Sequence, residues 1–192
     1  MKQHKGFLII IAGPSGVGKG SIVKSLLPDK NLKLNFSISA TTRKKRDGEV
    51  EGVNYFYKTK EEFEQMIANN ELLEHATYVN NYYGTPMFYV NEVLNKGENL
   101  LLEIECQGVA QVIKKIPETL TIFIKPPSME ELKDRLIKRG SENLHLIEDR
   151  IKQAEFEMSQ IHLFKHVVVN DDLLKATEEV RQIILKAMHH GN

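Results

Sequence analysis

An apolar run near the start of this chain leads straight into a glycine-rich loop and then into a helical pattern. The run covers residues 7–12, and residues 13–21 read Gly-Pro-Ser-Gly-Val-Gly-Lys-Gly-Ser. A strand, a glycine loop and a helix in this order form a phosphate-binding loop, because glycines let the backbone present successive N–H groups at the positive end of a helix. A chance glycine-rich turn has no need of a lysine beside the bound phosphate. We therefore predict a nucleotide-binding loop formed by Gly13, Pro14, Ser15, Gly16, Val17, Gly18, Lys19, Gly20 and Ser21.

The residue after the loop lysine departs from the simplest form of this motif, in which Ser or Thr ligates magnesium. Gly20 occupies that position, and the hydroxyl comes one residue later, at Ser21. The order Gly-Lys-Gly-Ser resembles that of nucleoside monophosphate kinases. We expect Mg²⁺ to enter with ATP and name Ser21 as its candidate ligand, and whether the contact is direct stays open at this point.

Length and charge exclude several classes of protein. A chain of 192 residues can bury one sizeable core with small appendages. Its 26 Lys and Arg residues balance 26 Asp and Glu residues, which argues against a general nucleic-acid or membrane-surface binder. The single cysteine, Cys106, excludes an intrachain disulfide, and the run at 7–12 is too short to span a bilayer. We expect a cytoplasmic protein with no nucleic-acid or membrane partner.

Short apolar runs alternate with longer helical patterns along the chain. Strands are predicted at 7–12, 34–39, 100–105, 121–125 and 167–169. Helices are predicted at 19–27, 87–96, 108–116, 128–139, 144–160 and 173–188, and Ser128 with Glu131 predicts a capping box. Such alternation predicts an α/β fold with a parallel sheet flanked by helices on both faces.

Two stretches fit this scheme poorly and are predicted to be insertions. Residues 40–90 are rich in Tyr, Asn, Thr and Gly, with a short helix opened by Thr59 and Glu62, and predict a small α+β unit. Residues 128–161 are charged and helical and predict a flap. The expected division is core at 1–38, 91–127 and 162–192, the small α+β domain at 39–90 and a helical lid at 128–161.

The small insertion carries a second set of motifs. Residues 39–55 read Ser-Ala-Thr-Thr-Arg-Lys-Lys-Arg-Asp-Gly-Glu-Val-Glu-Gly-Val-Asn-Tyr, and Asn-Glu-Leu-Leu-Glu at 70–74 and Asn-Tyr-Tyr-Gly-Thr at 81–85 follow. Gln-Gly at 107–108, Pro-Pro-Ser at 126–128 and Val-Asn-Asp-Asp at 169–172 come later. With the phosphate loop, this order of motifs resembles the guanylate kinase family from residue 6 to residue 188. The resemblance implies transfer of the γ-phosphoryl group of ATP to GMP, with dGMP as a further acceptor, and makes 39–90 the GMP-binding domain.

Guanine presents two adjacent hydrogen-bond donors with an acceptor beside them. A carboxylate that accepts from the donors and a hydroxyl that donates to the acceptor can therefore recognise it, and we call such a pair a guanine reader. The family motif puts Glu74 opposite the two donors and the hydroxyls of Ser39 and Thr85 near the base, where either is able to donate to O6. Without the surrounding motif, Glu74 would be an ordinary solvated acid.

The resemblance implies that Arg43 and Arg46 bind the GMP phosphate. It also implies that the hydroxyls of Tyr55 and Tyr83 donate to this phosphate and that Glu49 orients one of the arginines. Arginine's planar fork suits a phosphate dianion. A solvated basic turn at 43–46 is the competing interpretation, which the acidic residues directly after it weaken.

On the predicted lid, Arg135 and Arg139 are four residues apart and share a helix face, and Arg150 lies on the next helical segment. The resemblance implies that they close on the ATP phosphates, while an exposed ion pair from Glu131 to Arg135 is the alternative. It also puts Asn170 near the adenine. The carboxylates of Glu103 and Glu105, at the end of a strand, are expected near both ligands, without individual roles. The residues predicted to take part in transfer are Lys19, Arg43, Arg135, Arg139 and Arg150.

Two other functions remain open from the sequence. A non-catalytic binding module of the same fold typically loses the phosphate loop, which is intact here. A phosphate-loop kinase for another small phosphorylated acceptor has no use for a guanine reader, so Glu74, Ser39 and Thr85 argue against it.

Overall fold

The computed structural model describes residues 5–138 and 144–190. In that part of the chain the strands are β1 (Leu8–Ala12), β2 (Leu34–Phe36), β3 (Ala40–Thr41), β4 (Phe56–Tyr57), β5 (Leu72–Tyr78), β6 (Asn81–Pro86), β7 (Asn99–Glu103), β8 (Leu120–Lys125) and β9 (His166–Val169). The α-helices are α1 (Lys19–Leu26), α2 (Lys60–Ala68), α3 (Met87–Asn95), α4 (Cys106–Lys115), α5 (Met129–Lys138), α6 (Leu144–Ser159) and α7 (Leu173–His190). None of these helices combines the length and the apolar character needed to cross a membrane.

The main sheet is parallel throughout, with strand order β2-β7-β1-β8-β9. Its central strand β1 is buried on both faces: Ile9 and Ile11 pack into one apolar cluster, and Leu8 and Ile10 into another. Residues of α1 and α7 fill the first cluster, and residues of α3 and α4 fill the second. Each fully buried aliphatic side chain contributes roughly 1.5–3 kcal/mol of transfer free energy. The predicted α/β fold with helices on both faces is confirmed.

Several element boundaries differ from the prediction by one to three residues, among them the ends of β2 and β7 and the start of α4. Strand β2 ends at Phe36, because the chain leaves β7 after the Ser37 N–H has bonded to Leu101 O at 2.9 Å. It then crosses to a second sheet that begins at Ala40. Helix α4 begins at Cys106 instead of residue 108, since Glu105 already has the extended conformation of an N-cap (φ −75°, ψ 158°).

The second sheet is built within residues 40–86 and has strand order β4-β3-β6-β5. It packs on α2, whose predicted start is confirmed: the Thr59 hydroxyl accepts from Glu62 N at 3.1 Å and the Glu62 carboxylate accepts from Thr59 N at 2.7 Å. A small core of Ala40, Phe63, Met66 and Leu72 lies between sheet and helix.

Strand β5 carries an irregularity where it meets β6. Leu72 pairs with Pro86 and His75 pairs with Gly84, so Leu73 and Glu74 together face a single residue of β6. One extra residue in one strand is a β-bulge, which redirects side chains. Leu73 enters the core of the main sheet, whereas Glu74 does not.

Helix α4 holds β5 on both sides of this bulge. The Lys115 ammonium donates to Leu72 O at 2.7 Å. Gln111 accepts from His75 N at 3.1 Å and donates to His75 O at 2.9 Å. The outer edge of the second sheet is thereby covered by the main domain, which satisfies backbone groups that an edge strand otherwise exposes.

The capping box predicted for α5 is only half formed. Glu131 N donates to the Ser128 hydroxyl at 3.1 Å, as predicted. The Glu131 carboxylate does not return to the cap, because it binds Arg135 at 2.6 Å. A nearby guanidinium competes successfully with a backbone N–H for a carboxylate.

Candidate active site

A cavity of about 520 Å³ opens where the carboxyl ends of the parallel strands face the second sheet. This is the edge at which open α/β sheets bind ligands. Among the sequence-predicted residues, those that line it are Gly13, Ser15, Lys19, Ser39, Tyr55, Glu74, Tyr83, Glu103 and Glu105. The structure therefore brings residues of the glycine loop, the end of β7 and the second sheet around one space.

A second cavity of about 350 Å³ lies on the other side of the glycine loop. Its lining includes six of the predicted ATP-site residues, namely Gly16, Val17, Gly18, Ser21, Arg135 and Asn170. The loop is thus the partition between the two spaces, and both sides of it are accessible to a ligand.

The loop adopts a conformation that only glycine tolerates at its last turn. Gly18 has φ 99°, and a Cβ there would lie 2.5 Å from the Asn170 side-chain nitrogen. That amide is in place because it donates to Val17 O at 2.7 Å, and Asn170 is 5% exposed. The Asn170 side chain thus holds the loop in place through this hydrogen bond, a contact that the sequence did not predict.

The Lys19 side chain folds back onto the glycine loop that precedes it. Its ammonium donates to Gly13 O and to Pro14 O, the latter at 3.0 Å. An ammonium has three donors, so one remains for a ligand in the larger cavity. Burial lowers the pKa of Lys19, and the carboxylates of Glu103 and Glu157 oppose this shift.

Glu74 is a buried acid, with 5% of its surface exposed. The Thr85 hydroxyl donates to one of its oxygens at 2.7 Å. Burial raises the pKa of Glu74, and the hydrogen bond from Thr85 partly offsets this. The Thr85 proton is engaged with Glu74, and Ser39 is the member of the predicted hydroxyl pair that lines the cavity.

Gly108 leaves the space that the other Glu74 oxygen needs. A Cβ at position 108 would lie 2.9 Å from that oxygen and 3.3 Å from the end of the Ile104 side chain. Helix α4 therefore approaches the carboxylate at a distance that only a glycine allows.

Glu49 holds Arg43 with two hydrogen bonds, of 2.7 and 3.1 Å. The same carboxylate accepts from Arg46 N at 2.8 Å and from the Tyr57 hydroxyl at 2.7 Å. These donors lower the pKa of Glu49 to about 2, and the hydrogen bond with Arg43 has the largest effect. The Arg43 guanidinium lies over the Tyr55 ring, 5.2 Å from its centre. Arg43 itself lines neither cavity, but its planar cation is held in one orientation against Tyr55, which lines the larger one.

Arg135 joins α5 to the end of β9. Its guanidinium donates to Glu131 at 2.6 Å and to Asn170 O at 3.0 Å. The ion pair that the sequence offered as an alternative does form, and Arg135 lines the smaller cavity as well. The two interpretations are therefore compatible.

Some predicted residues lie elsewhere. The Arg46 side chain is exposed, and neither cavity lining includes Arg46 or Arg150. Arg139 lies outside the described residues. The loop residues Pro14 and Gly20 line neither cavity.

Sequence reasoning missed two polar groups of the site, Tyr57 and Glu157. Tyr57 is two residues from Tyr55, a spacing that puts both on one face of a strand, and this alternation was available as a signal. Glu157 is 8% exposed and lines the larger cavity. Its signal was weaker: it is three residues from buried Ala154, so both share a helix face.

The described residues contain no group of three His, Cys, Asp or Glu side chains placed to hold a metal ion. Mg²⁺ commonly uses one or two carboxylates, waters and substrate phosphates instead of an all-protein cage. The exposed carboxylates of Glu103 and Glu105 on the larger cavity, and the Ser21 hydroxyl on the smaller one, suit that mode of binding.

Comparisons with known proteins agree on one family. The family model described as guanylate kinase matches residues 5–187. Guanylate kinase of Mycoplasmoides gallisepticum is 62% identical over 186 residues, which covers 97% of this chain and 95% of that protein. Guanylate kinase of Bacillus subtilis is 49% identical over 183 residues, covering 95% and 90%. The crystal structure of guanylate kinase from Anaplasma phagocytophilum has a TM-score of 0.70 at 30% identity and covers 95% of this chain and 86% of that one.

Proposed function

The chain belongs to the guanylate kinase family, and we propose that it transfers the γ-phosphoryl group of ATP to GMP, giving ADP and GDP, and that it also accepts dGMP. The observation that carries the acceptor assignment is the buried Glu74, which lines the same cavity as Lys19 and accepts a hydrogen bond from the Thr85 hydroxyl. A donor-site lysine and a base-reading carboxylate around one space are what a nucleotide kinase needs.

The acceptor base is read by Glu74 and Ser39. The buried carboxylate accepts from the N1–H and the 2-amino group of guanine, and Ser39 donates to O6. Adenine has an acceptor at N1, so it leaves the buried carboxylate without its donors, which costs about 1–3 kcal/mol or more for a charged group. Thr85 orients Glu74 through the 2.7 Å hydrogen bond.

The acceptor phosphate is gripped by Arg43 and Arg46 together with the hydroxyls of Tyr55 and Tyr83. Two of the five donors of Arg43 engage Glu49, and the planar fork leaves others for a phosphate oxygen. Holding the guanidinium in place beforehand reduces the entropy that binding costs.

The donor nucleotide is held by the glycine loop. Its backbone N–H groups and Lys19 surround the phosphates, while Arg135, Arg139 and Arg150 neutralise charge on the transferring group as the 128–161 segment closes. Asn170, which is expected near the adenine, stabilises the conformation of the loop through its hydrogen bond to Val17 O. Magnesium bound with ATP would supply further neutralisation of the phosphate oxygens. Ser21 is its candidate ligand, and of Glu103 and Glu105 one would hold its waters and the other would serve the GMP site.

We place the protein in the cytoplasm, in purine nucleotide metabolism, with ATP and GMP or dGMP as its partners and no nucleic-acid or membrane partner. A non-catalytic binding module would need neither Lys19 nor the cavity around it. A kinase for a non-purine acceptor would have no use for the buried Glu74.

A coupled assay of ADP formation tests the assignment directly. GMP, dGMP, AMP, UMP and CMP are compared with saturating MgATP, and Lys19→Ala serves as the inactive control. We expect turnover with GMP and dGMP that exceeds turnover with the other acceptors by at least a hundredfold. Equal rates with all five acceptors would reject the guanine reader, and no ADP with any of them would support the binding-module alternative.

A further inference from the structure

Helix α4 contacts strand β5 through three residues on one of its faces. Gly108, Gln111 and Lys115 are separated by three and then four positions, so they follow one side of the helix. Gly108 lies against the Glu74 carboxylate, since a Cβ there would come within 2.9 Å of its Oε2. The other two bind the main chain of β5. The reaction proposed above gives no role to Gln111 or Lys115.

Gln111 binds both main-chain groups of a single residue. Its side-chain oxygen accepts from His75 N at 3.1 Å, and its side-chain nitrogen donates to His75 O at 2.9 Å. A primary amide carries an acceptor and a donor in one plane, so it replaces the residue that a neighbouring antiparallel strand would supply. Because β5 is the last strand of its sheet, this contact fixes its outer edge at one defined residue.

Lys115 fixes the same edge three residues earlier. Its ammonium donates to Leu72 O at 2.7 Å. The two attachment points, Leu72 and His75, are the residues at which regular pairing with β6 stops and resumes. Leu73 and Glu74 alone lie between them. The helix therefore holds the bulge at both of its ends.

The direction of the Glu74 side chain depends on where β5 is fixed. Successive side chains of a strand point to opposite faces, so a shift of pairing by one residue exchanges them. Leu73 enters the apolar core of the main sheet, whereas Glu74 lines the larger cavity. Contacts that only covered the sheet edge could fall anywhere along β5, but the hydrogen bonds from α4 fall on either side of this pair.

We propose that Gln111 and Lys115 are positioning residues for Glu74, and that they determine how sharply the site distinguishes guanine from adenine by fixing β5 on either side of that carboxylate. Neither side chain lines the larger or the smaller cavity, so each acts through the main chain of β5. The inference rests on the proposed function, because it takes Glu74 as the residue that binds the base.

Gln111→Ala and Lys115→Met each remove one attachment. Gln65→Ala and Lys114→Met are the matched controls, the same changes at exposed residues of α2 and α4. We compare kcat/KM for GMP and AMP, and the KM for ATP. The GMP-to-AMP ratio should fall by roughly ten- to a hundredfold in each test variant, through the KM for GMP, while the KM for ATP and both controls stay unchanged. Lys115→Arg, which keeps a donor for Leu72 O, should recover most of the ratio.

A second measurement is independent of the substrate. The carboxyl-carbon NMR resonance of Glu74 in the nucleotide-free protein should shift in Gln111→Ala and in Lys115→Met and stay in place in both controls. An unchanged resonance in both test variants, or an equal loss of kcat/KM for GMP and AMP, would overturn the proposal. If one test variant does not fold, the other carries both measurements.

The proposed function and this inference fail in different ways. Wild-type protein that shows no preference for GMP over AMP would reject the proposed function. The Glu74 resonance would still decide whether Gln111 and Lys115 position that carboxylate. A clear preference in wild type that both test variants retain would leave the proposed function in place and overturn the inference.

Discussion

The side-chain amide of Asn170 donates to the main-chain oxygen of Val17 at 2.7 Å, across 153 positions of the sequence. Its own main-chain oxygen accepts from Arg135. One residue after β9 therefore connects the glycine loop to α5. A loop whose backbone N–H groups must point at a ligand is kept in that arrangement by a contact from another strand.

Asn170→Ala should loosen the loop. Losing the hydrogen bond leaves a buried carbonyl unpaired, at a cost of about 1–3 kcal/mol, so we expect a lower melting temperature and a weaker affinity for ATP. Calorimetric titration with ATP and thermal denaturation measure both. Asn91→Ala, at an exposed position on α3, is the control and should change the free energy of unfolding by no more than about 0.5 kcal/mol and leave the affinity for ATP unaltered. Wild-type ATP affinity in Asn170→Ala would show that the loop keeps its shape unaided.

Lys19→Ala should abolish most phosphoryl transfer while leaving GMP binding intact. The lysine stabilises charge that develops during transfer, and removing one such donor typically costs a factor of about 10²–10³ in kcat. Steady-state turnover at saturating ATP and equilibrium binding of GMP are the measurements. Comparable turnover in the variant would contradict the assignment.

Glu74→Gln should change the choice of base. The amide cannot accept from both guanine donors, so kcat/KM for GMP should fall by roughly 2–4 kcal/mol, a hundredfold or more in rate. AMP should lose much less, because the buried charge that opposed it has gone. Arg43→Ala is the comparison, since a phosphate contact carries no information about the base and should weaken both acceptors alike. If Glu74→Gln left the GMP-to-AMP ratio unaltered, Glu74 would not be the reader.

Gly108→Ala should displace the Glu74 carboxylate from the side of helix α4. The added methyl would meet Glu74 at 2.9 Å and Ile104 at 3.3 Å, so we expect a rise in KM for GMP with little effect on the affinity for ATP. Ala110→Ser, at an exposed position on the same helix, is the control and should leave the KM for GMP unchanged. Equal KM values for GMP in Gly108→Ala and wild type would show that the carboxylate tolerates the shift.

Glu49 should contribute to stability only above acidic pH. Its pKa is lowered from 4.5 to about 2 in the folded protein, so the unfolded chain binds the proton more readily. The contribution is therefore complete above pH 4.5 and is lost as the pH falls toward 2. The free energy of unfolding of wild type and Glu49→Gln, measured by denaturant titration from pH 7 downward, should converge at low pH. A difference that stays constant with pH would contradict the linkage.

Local signals accounted for most of the fold. The strand, glycine loop and helix at residues 7–27, and the cap at Thr59, depend on neighbours in the sequence and were predicted close to their observed bounds. The predicted hydrogen bond to the Glu131 carboxylate from the cap of α5 was wrong, because Arg135, one helical turn away, binds that carboxylate instead.

Long-range contacts account for what sequence reasoning missed. The Asn170 amide lies on Val17, and nothing near residue 170 in the sequence indicates this. The engagement of Thr85 with Glu74 depends on a bulge whose register is set by two strands. Glu157 resembles any acid of a charged helix until the fold places it in the cavity.

At the bulge in β5, the neighbours of Glu74 are anchored to the main sheet and to helix α4. Its neighbour Leu73 is buried in the main core, and α4 holds Leu72 and His75 on either side. Consecutive Cα atoms are about 3.8 Å apart, so Glu74 cannot travel far from this anchor. Arg43 follows β3, which is two strands away from β5 in the second sheet. If the second sheet rotates against the main sheet, we expect the pivot to lie beside Glu74, the proposed reader of the base, and Arg43, the proposed phosphate ligand, to move farther than Glu74.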